Sequence, residues 1–117
     1  MKAIILTIIA VTLFSSCVQK AYEREVTVYL TVKGKQNIKT VGILGDGNKL
    51  DWDKALPLQE VVKDSLYTTT FKMRTGYLLV EAAFTVNDTV ELKDKPNRRI
   101  QFAKEGGTVY RAVFDEN

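Results

Sequence analysis

The sequence contains no histidine and only one cysteine, Cys17, among its 117 residues. Without histidine there can be no Ser-His-Asp triad, no histidine zinc site and no imidazole general base. With one cysteine the chain can form no internal disulfide, so side-chain packing must stabilise the fold. We therefore expect a protein that is not an enzyme and that holds no metal or other cofactor.

Carboxylates are the remaining candidates for chemistry. Asp51 and Asp53 flank the only tryptophan, Trp52, while Glu81 and Glu91 lie on predicted strands. Glycoside hydrolysis needs two carboxyl groups across a substrate cleft, and a domain of this size offers little cleft, so we interpret these acids as solvated. The closely spaced oxygen donors of a conceivable calcium loop are Asp46, Asn48, Asp51 and Asp53. Its glycine stands in the wrong place for an EF-hand.

A strong excess of either charge is also absent. Removal of residues 1–16 takes away Lys2 and leaves 16 basic against 14 acidic side chains. Nucleic-acid-binding domains usually carry a clustered basic face and a high pI. This balance therefore argues against a nucleic-acid partner.

The N-terminus has the pattern of a secretory signal peptide. Lys2 precedes an apolar stretch from Ala3 to Phe14 that is too short to span a bilayer, and small residues follow it. The tetrad Phe14-Ser15-Ser16-Cys17 resembles the lipobox of bacterial lipoproteins. We predict cleavage after residue 16, lipidation of Cys17, a short tether over residues 17–25 and one domain over residues 26–117. An unlipidated thiol after a plain signal peptide is the alternative.

This anchor predicts a location in the bacterial cell envelope, at the outer membrane. Residues Val18-Gln19-Lys20-Ala21 lack the acidic cluster of a surface-export signal. Whether the domain faces the periplasm or the cell surface stays open.

From Val26 onward the apolar residues alternate with period two, which is typical of strands. Predicted strands cover residues 26–32, 38–44, 66–73, 77–86, 89–92, 98–103 and 108–114. We expect a hairpin between 66–73 and 77–86, a turn at Asn87-Asp88 and a tight reversal at Gly106-Gly107. No segment has a sustained helical period. The predicted fold is all-β: one immunoglobulin-like antiparallel β-sandwich of about seven short strands.

Several short motifs occur in a recognisable order. They are Val41-Gly42, Leu50-Asp51-Trp52, Ala55-Leu56-Pro57-Leu58, Glu81 to Phe84 and Pro96-Asn97-Arg98. In this order and spacing, nearly all of the mature chain resembles a starch-binding domain of carbohydrate-binding module family 20, which is related to glycogen-binding modules. The resemblance implies a glucan site in which Trp52 and Asn97 match a sugar-stacking tryptophan and an asparagine.

The same comparison shows two departures. Ala83 stands where the family has a lysine, and Leu92 where it has a second tryptophan. Leucine offers contact area to a pyranose but no π surface. We expect these two positions to leave a flatter, apolar patch on an exposed face, of the kind that often contacts proteins.

Each candidate contact also has an ordinary structural interpretation. Trp52 can be a partly buried loop anchor, Asn97 can cap the turn after Pro96, and Arg98 and Arg99 can belong to a solvated face. Two hypotheses follow. The first is a membrane-anchored monomer that binds α-glucan or a related polysaccharide through Trp52, Lys93 and Asn97. The second is an interaction lipoprotein that keeps the sandwich, lacks the sugar site and binds an envelope protein.

Overall fold

The computed structural model describes residues 20–116, and the predictions that concern residues 1–19, including Cys17, lie outside them. The described chain contains no helix and forms nine strands. The strands are β1 (Tyr22–Thr31), β2 (Val41–Gly45), β3 (Leu56–Pro57), β4 (Gln59–Val62), β5 (Leu66–Thr75), β6 (Leu79–Val86), β7 (Thr89–Val90), β8 (Arg98–Gln101) and β9 (Thr108–Val113). Accordingly, no helix in residues 20–116 is long and apolar enough to cross a membrane.

The strands form two sheets, and the predicted all-β class is confirmed. The first sheet has the order β4-β5-β1-β9. The second has the order β3-β2-β6-β7, and β8 also pairs with β6. Both β7 and β8 lie along the edge of β6 that faces away from β2, because β7 pairs with residues 85–86 and β8 with residues 79–82.

The core lies between the sheets and follows the alternation of the sequence. Val26, Val28 and Leu30 of β1 are fully buried, while the intervening residues are partly exposed, so one face of β1 packs inward as predicted. Apolar side chains of both sheets complete this core, among them Ile43, Phe71, Phe84 and Ile100.

The predicted hairpin between residues 66–73 and 77–86 is wrong. β5 pairs with β1 and β4, whereas β6 pairs with β2, β7 and β8, so the link over residues 76–78 carries the chain from one sheet to the other. The reversal at Gly106-Gly107 is also no hairpin, because β8 and β9 lie in different sheets. Both connections wrap the chain around the core.

The sandwich is not wholly antiparallel. β9 runs parallel to β1, with Val26 opposite Thr108 and Thr31 opposite Val113. The turn at Asn87-Asp88 is confirmed: Val86 pairs with Thr89, and the two turn residues have φ values of 50° and 65°. Two adjacent residues with positive φ make the tight hairpin turn whose twist matches the flanking strands.

The strand count and the first strand boundary also differ from prediction. β3 and β4 have no predicted counterpart, because β3 is only two residues long and all four residues of β4 are exposed, without alternation. β1 begins at Tyr22, so residues 22–25 belong to this strand and not to the predicted tether, and they pair with residues 72–75 of β5.

Candidate ligand-binding site

Trp52 lies in the loop over residues 46–55, which joins β2 to β3. Its indole Nε1 donates a 2.6 Å hydrogen bond to Asp46 Oδ1, and the residue is 38% exposed. Since the polar edge of the ring already has a partner in the protein, the ring is held in one orientation. Trp52 is therefore both tied to its own loop and partly open to solvent.

The loop is attached firmly where it leaves β2. Asp46 N donates to Glu81 O at 3.1 Å, and Leu50 is buried in the core. Gly45 allows the close packing there, because a Cβ at this position would lie 2.6 Å from Glu81 O and 2.7 Å from Leu50 Cδ1. These contacts give Trp52 a rigid support.

The second half of this loop forms one wall of an open groove of about 550 Å³. Asp53, Lys54 and Ala55 contribute that wall, and Thr85 lines the groove from β6. A Cβ on Gly42 would lie 2.7 Å from the Ala55 Cβ, so the missing side chain lets the loop approach the sheet. Further polar residues that line the groove are Lys39, Thr40, Glu60 and Asp88.

A buried tyrosine also lines this groove. Tyr67 is 3% exposed, and its hydroxyl has no hydrogen-bond partner within residues 20–116. Burial, followed by the carboxylates of Glu60 and Asp64, raises its pKa. A buried hydroxyl without a partner costs about 1–3 kcal/mol. Because this oxygen is itself shielded from solvent, a ligand in the groove does not contact it in this conformation. Tyr67 is not among the site residues that the sequence predicts, because its position in the strand pattern marks it only as a core residue.

Lys93 and Asn97 are exposed in the loop between β7 and β8. In the described part of the chain, no hydrogen bond or ion pair joins either residue to Trp52. The sheet order explains why: the Trp52 loop lies on the β2–β3 side of β6, and the Lys93 loop on the other side. The structure therefore does not bring the three predicted contacts together, and no hydrogen bond within residues 20–116 shows Asn97 capping a turn.

Arg98 does not belong to a solvated face, and Glu91 is not a solvated acid. Their side chains are 7% and 0% exposed, and Arg98 Nε and Nη2 donate to Glu91 Oε2 and Oε1 at 2.6 and 2.8 Å. Burial disfavours the charged guanidinium, but the hydrogen bonds to Glu91 and Tyr110 outweigh it and raise the pKa of Arg98. Arg99, in contrast, is 70% exposed, as expected for a surface residue.

The predicted apolar patch at Ala83 and Leu92 is also wrong. The two residues are 2% and 5% exposed, and Leu44, which pairs with Ala83 across the sheet, is 8% exposed. Ala83 alternates with Ala82 and Phe84 of the main core, so it points to the other face of the sheet. Because that face is covered here, Ala83 and Leu92 offer no exposed surface to a protein partner.

The carboxylates of Asp46 and Asp51 in the Trp52 loop have protein partners. Asp46 accepts from Trp52, and Asp51 Oδ1 accepts from Asp53 N at 2.8 Å, which forms a local turn. Asn48 Nδ2 donates to Arg74 O at 3.4 Å. Within residues 20–116, no group of three or more acidic, histidine or cysteine side chains is arranged to hold a metal ion.

Neither a protein-family model nor a curated protein sequence matches this chain. The resemblance to starch-binding domains therefore stays a prediction that rests on the motifs of the sequence. What the structure shows is an all-β protein of two packed sheets, with a groove that is lined in part by Asp53, Lys54 and Ala55 of the loop that carries its single tryptophan.

Proposed function

We propose that this protein is a lipid-anchored, non-catalytic carbohydrate-binding module of the bacterial cell envelope, and that it binds glycan on the exposed ring of Trp52 and in the groove that the next residues of the same loop line. The observation that carries the proposal is the exposed indole ring, held in place by Asp46. A fixed aromatic face can stack on the apolar face of a pyranose without losing further rotational freedom.

The groove supplies the polar contacts that sugar hydroxyl groups require. Asp53 and Lys54, the two residues that follow Trp52 in the chain, line the groove together with Lys39 and Glu60. Hydrogen bonds to charged groups are stronger than those between neutral groups, and they give direction to an otherwise nonspecific stacking contact. From the resemblance, we propose α-glucan or a related polysaccharide as the ligand.

The proposal treats the protein as a monomer that reaches the membrane through lipid on Cys17 and uses no cofactor. We expect Lys93 and Asn97 to contribute little to binding at this site, because they lie on the far side of β6 from Trp52. Substitution of Lys93 and Asn97 therefore tests whether glycan binds at this site or at the one that the family resemblance implies.

Affinity electrophoresis of the detergent-solubilised protein through gels that contain amylose, glycogen or other glycans tests this function. We expect at least one glycan to retard the protein, Trp52→Ala to abolish the retardation, and Lys93→Ala with Asn97→Ala to have little effect. Tyr77→Ala controls for the loss of any exposed aromatic ring, because Tyr77 is 74% exposed and belongs neither to the Trp52 loop nor to the groove lining. Unretarded migration in every glycan would contradict the proposal and favour the interaction lipoprotein.

A further inference from the structure

The link between β5 and β6 presents two large apolar side chains to solvent. Tyr77 is 74% exposed and Leu78 is 78% exposed, more than any other large apolar residue in the described chain. The backbone of this link is nevertheless held: Tyr77 N donates to Thr75 Oγ1 at 3.1 Å, and Phe102 N donates to Leu78 O at 3.0 Å. The two side chains therefore project from an ordered segment.

This link lies at the end of the sandwich where the chain enters the domain. Tyr22, the first residue of β1, pairs with Thr75, the last residue of β5. Tyr22 is itself half exposed, and Lys20 Nζ and the Arg24 guanidinium lie 5.5 and 5.3 Å from the centre of its ring. Two tyrosines, a leucine and two cations thus share one end of the molecule.

The distance to the predicted lipid is short. Tyr22 comes five residues after Cys17, so an extended chain places it at most about 18 Å from the lipidated residue. A domain attached in this way cannot move far from the bilayer surface, so the end that carries Tyr22 and Tyr77 must face it closely.

The composition of this end suits the membrane interface. Tyrosine prefers the headgroup level because its ring is apolar and its hydroxyl is polar, and leucine favours the acyl region below. Lysine and arginine can pack their stems on apolar surface while the charged groups reach the lipid phosphates. In water, the leucine side chain and the tyrosine ring at this end leave a large apolar surface exposed, which is unfavourable compared with burial.

We propose that Tyr77 and Leu78, together with Tyr22, insert into the interface of the bilayer that carries the lipid on Cys17, and so orient the domain on the membrane. This inference rests on the lipid anchor of the proposed function. Thr40 and Asp88 of the groove then lie away from the membrane, because they are near the Val41–Val86 pair, at the opposite end of β6 from Leu79.

Fluorescence quenching in vesicles tests the orientation with the full-length lipidated protein. In a Trp52→Phe background, Tyr77→Trp and Leu78→Trp each introduce a single tryptophan at this end. Val62→Trp is the control, because Val62 is half exposed and lies next to Leu66, whose partner Thr31 ends β1. The protein is reconstituted into vesicles of phosphatidylcholine and phosphatidylglycerol, with or without phosphatidylcholine brominated near the ester end of its acyl chains.

We expect bromolipid to cause a strong loss of fluorescence for Tyr77→Trp and Leu78→Trp, and none for Val62→Trp. Vesicle flotation of the same samples reports on the anchor separately. Protein that floats with vesicles while neither Tyr77→Trp nor Leu78→Trp is quenched would overturn the insertion and leave the anchor intact. Protein that fails to float would overturn the anchor, and the insertion with it. Glycan retardation in detergent is independent of both results.

Discussion

Glu91 and Arg98 form a bidentate ion pair that joins the two sheets of the sandwich. Glu91 Oε2 also accepts from Phe84 N at 2.9 Å in β6, and Arg98 Nη2 donates to Val113 O at 2.8 Å in β9. The pair thus occupies the gap between β7 and β8 along β6 and holds the end of β9. Its position makes it structural, because both side chains are almost wholly buried and their hydrogen bonds connect β6, β8 and β9.

We expect Arg98→Ala to lower the free energy of unfolding by about 3–5 kcal/mol, because it leaves the Glu91 carboxylate buried without a counter-charge. Urea denaturation followed by circular dichroism measures the change. Arg99→Ala is the matched control. Since Arg99 is 70% exposed and lies 3.7 Å from Glu81, its removal should change stability by less than about 1 kcal/mol. Equal effects of the two substitutions would contradict the structural role.

Asp46→Ala should weaken glycan binding even though Asp46 makes no sugar contact in the proposal. The substitution removes the acceptor of the Trp52 indole hydrogen bond, so the ring loses its fixed orientation. We expect about tenfold weaker binding, or about 1.4 kcal/mol, in affinity electrophoresis. Asp51→Ala tests the same loop without touching the indole, because Asp51 accepts only from Asp53 N. If Asp46→Ala retains full affinity, the held ring is not the basis of binding.

Gly42→Ala should destabilise the domain by about 1–3 kcal/mol through overpacking. The new Cβ would lie 2.7 Å from the Ala55 Cβ and 3.0 Å from Thr85 Oγ1. Gly107→Ala is the control, since its nearest neighbour, Glu25 Oε1, is 3.5 Å away. The double variant Gly42→Ala, Ala55→Gly should recover part of the loss. Thermal unfolding of the four proteins checks the order.

Tyr67 predicts a pH dependence of stability at the alkaline side. Its pKa is raised by burial, so the unfolded chain loses this proton first as the pH passes the ordinary value of about 10. The stability that protonated Tyr67 contributes is fully present below about pH 10 and is lost as the pH rises towards the raised pKa of the folded state. We expect the wild type to lose stability more steeply than Tyr67→Phe above pH 10, in urea denaturation. Parallel curves would show that Tyr67 titrates alike in both states.

Cys17→Ser should abolish the incorporation of an alkyne-labelled fatty acid and release the protein from the membrane fraction. The lipidated cysteine is the only anchor that the sequence predicts, and two or more acyl chains hold a protein on a bilayer effectively permanently. Labelling and fractionation of cells that express either form provide the measurement. Protease treatment of intact cells then decides between periplasmic and surface exposure. Label on Cys17→Ser would contradict the predicted attachment site.

The sequence by itself determined the class of the fold and several local features. Alternation at Val26, Val28 and Leu30 marks a strand with one buried face, because successive side chains of a strand point in opposite directions. Asn87-Asp88 marks a hairpin turn, because these residues tolerate positive φ. Each of these features depends on neighbours in the chain, so the local sequence contains the necessary information.

Tertiary structure alone decided which strands pair and which charges are buried. Any strand offers the same backbone hydrogen bonds to any neighbour, so alternation could not show that β5 and β6 lie in different sheets or that β1 and β9 run parallel. The alternation also could not show that Ala83 and Leu92 are covered in the folded protein, so the sequence predicted both at the surface. Glu91 is buried because long-range folding brings Arg98 and the end of β9 to it. Tyr67 of β5 lines the groove with Gly42 and Thr85 only because the two sheets pack together.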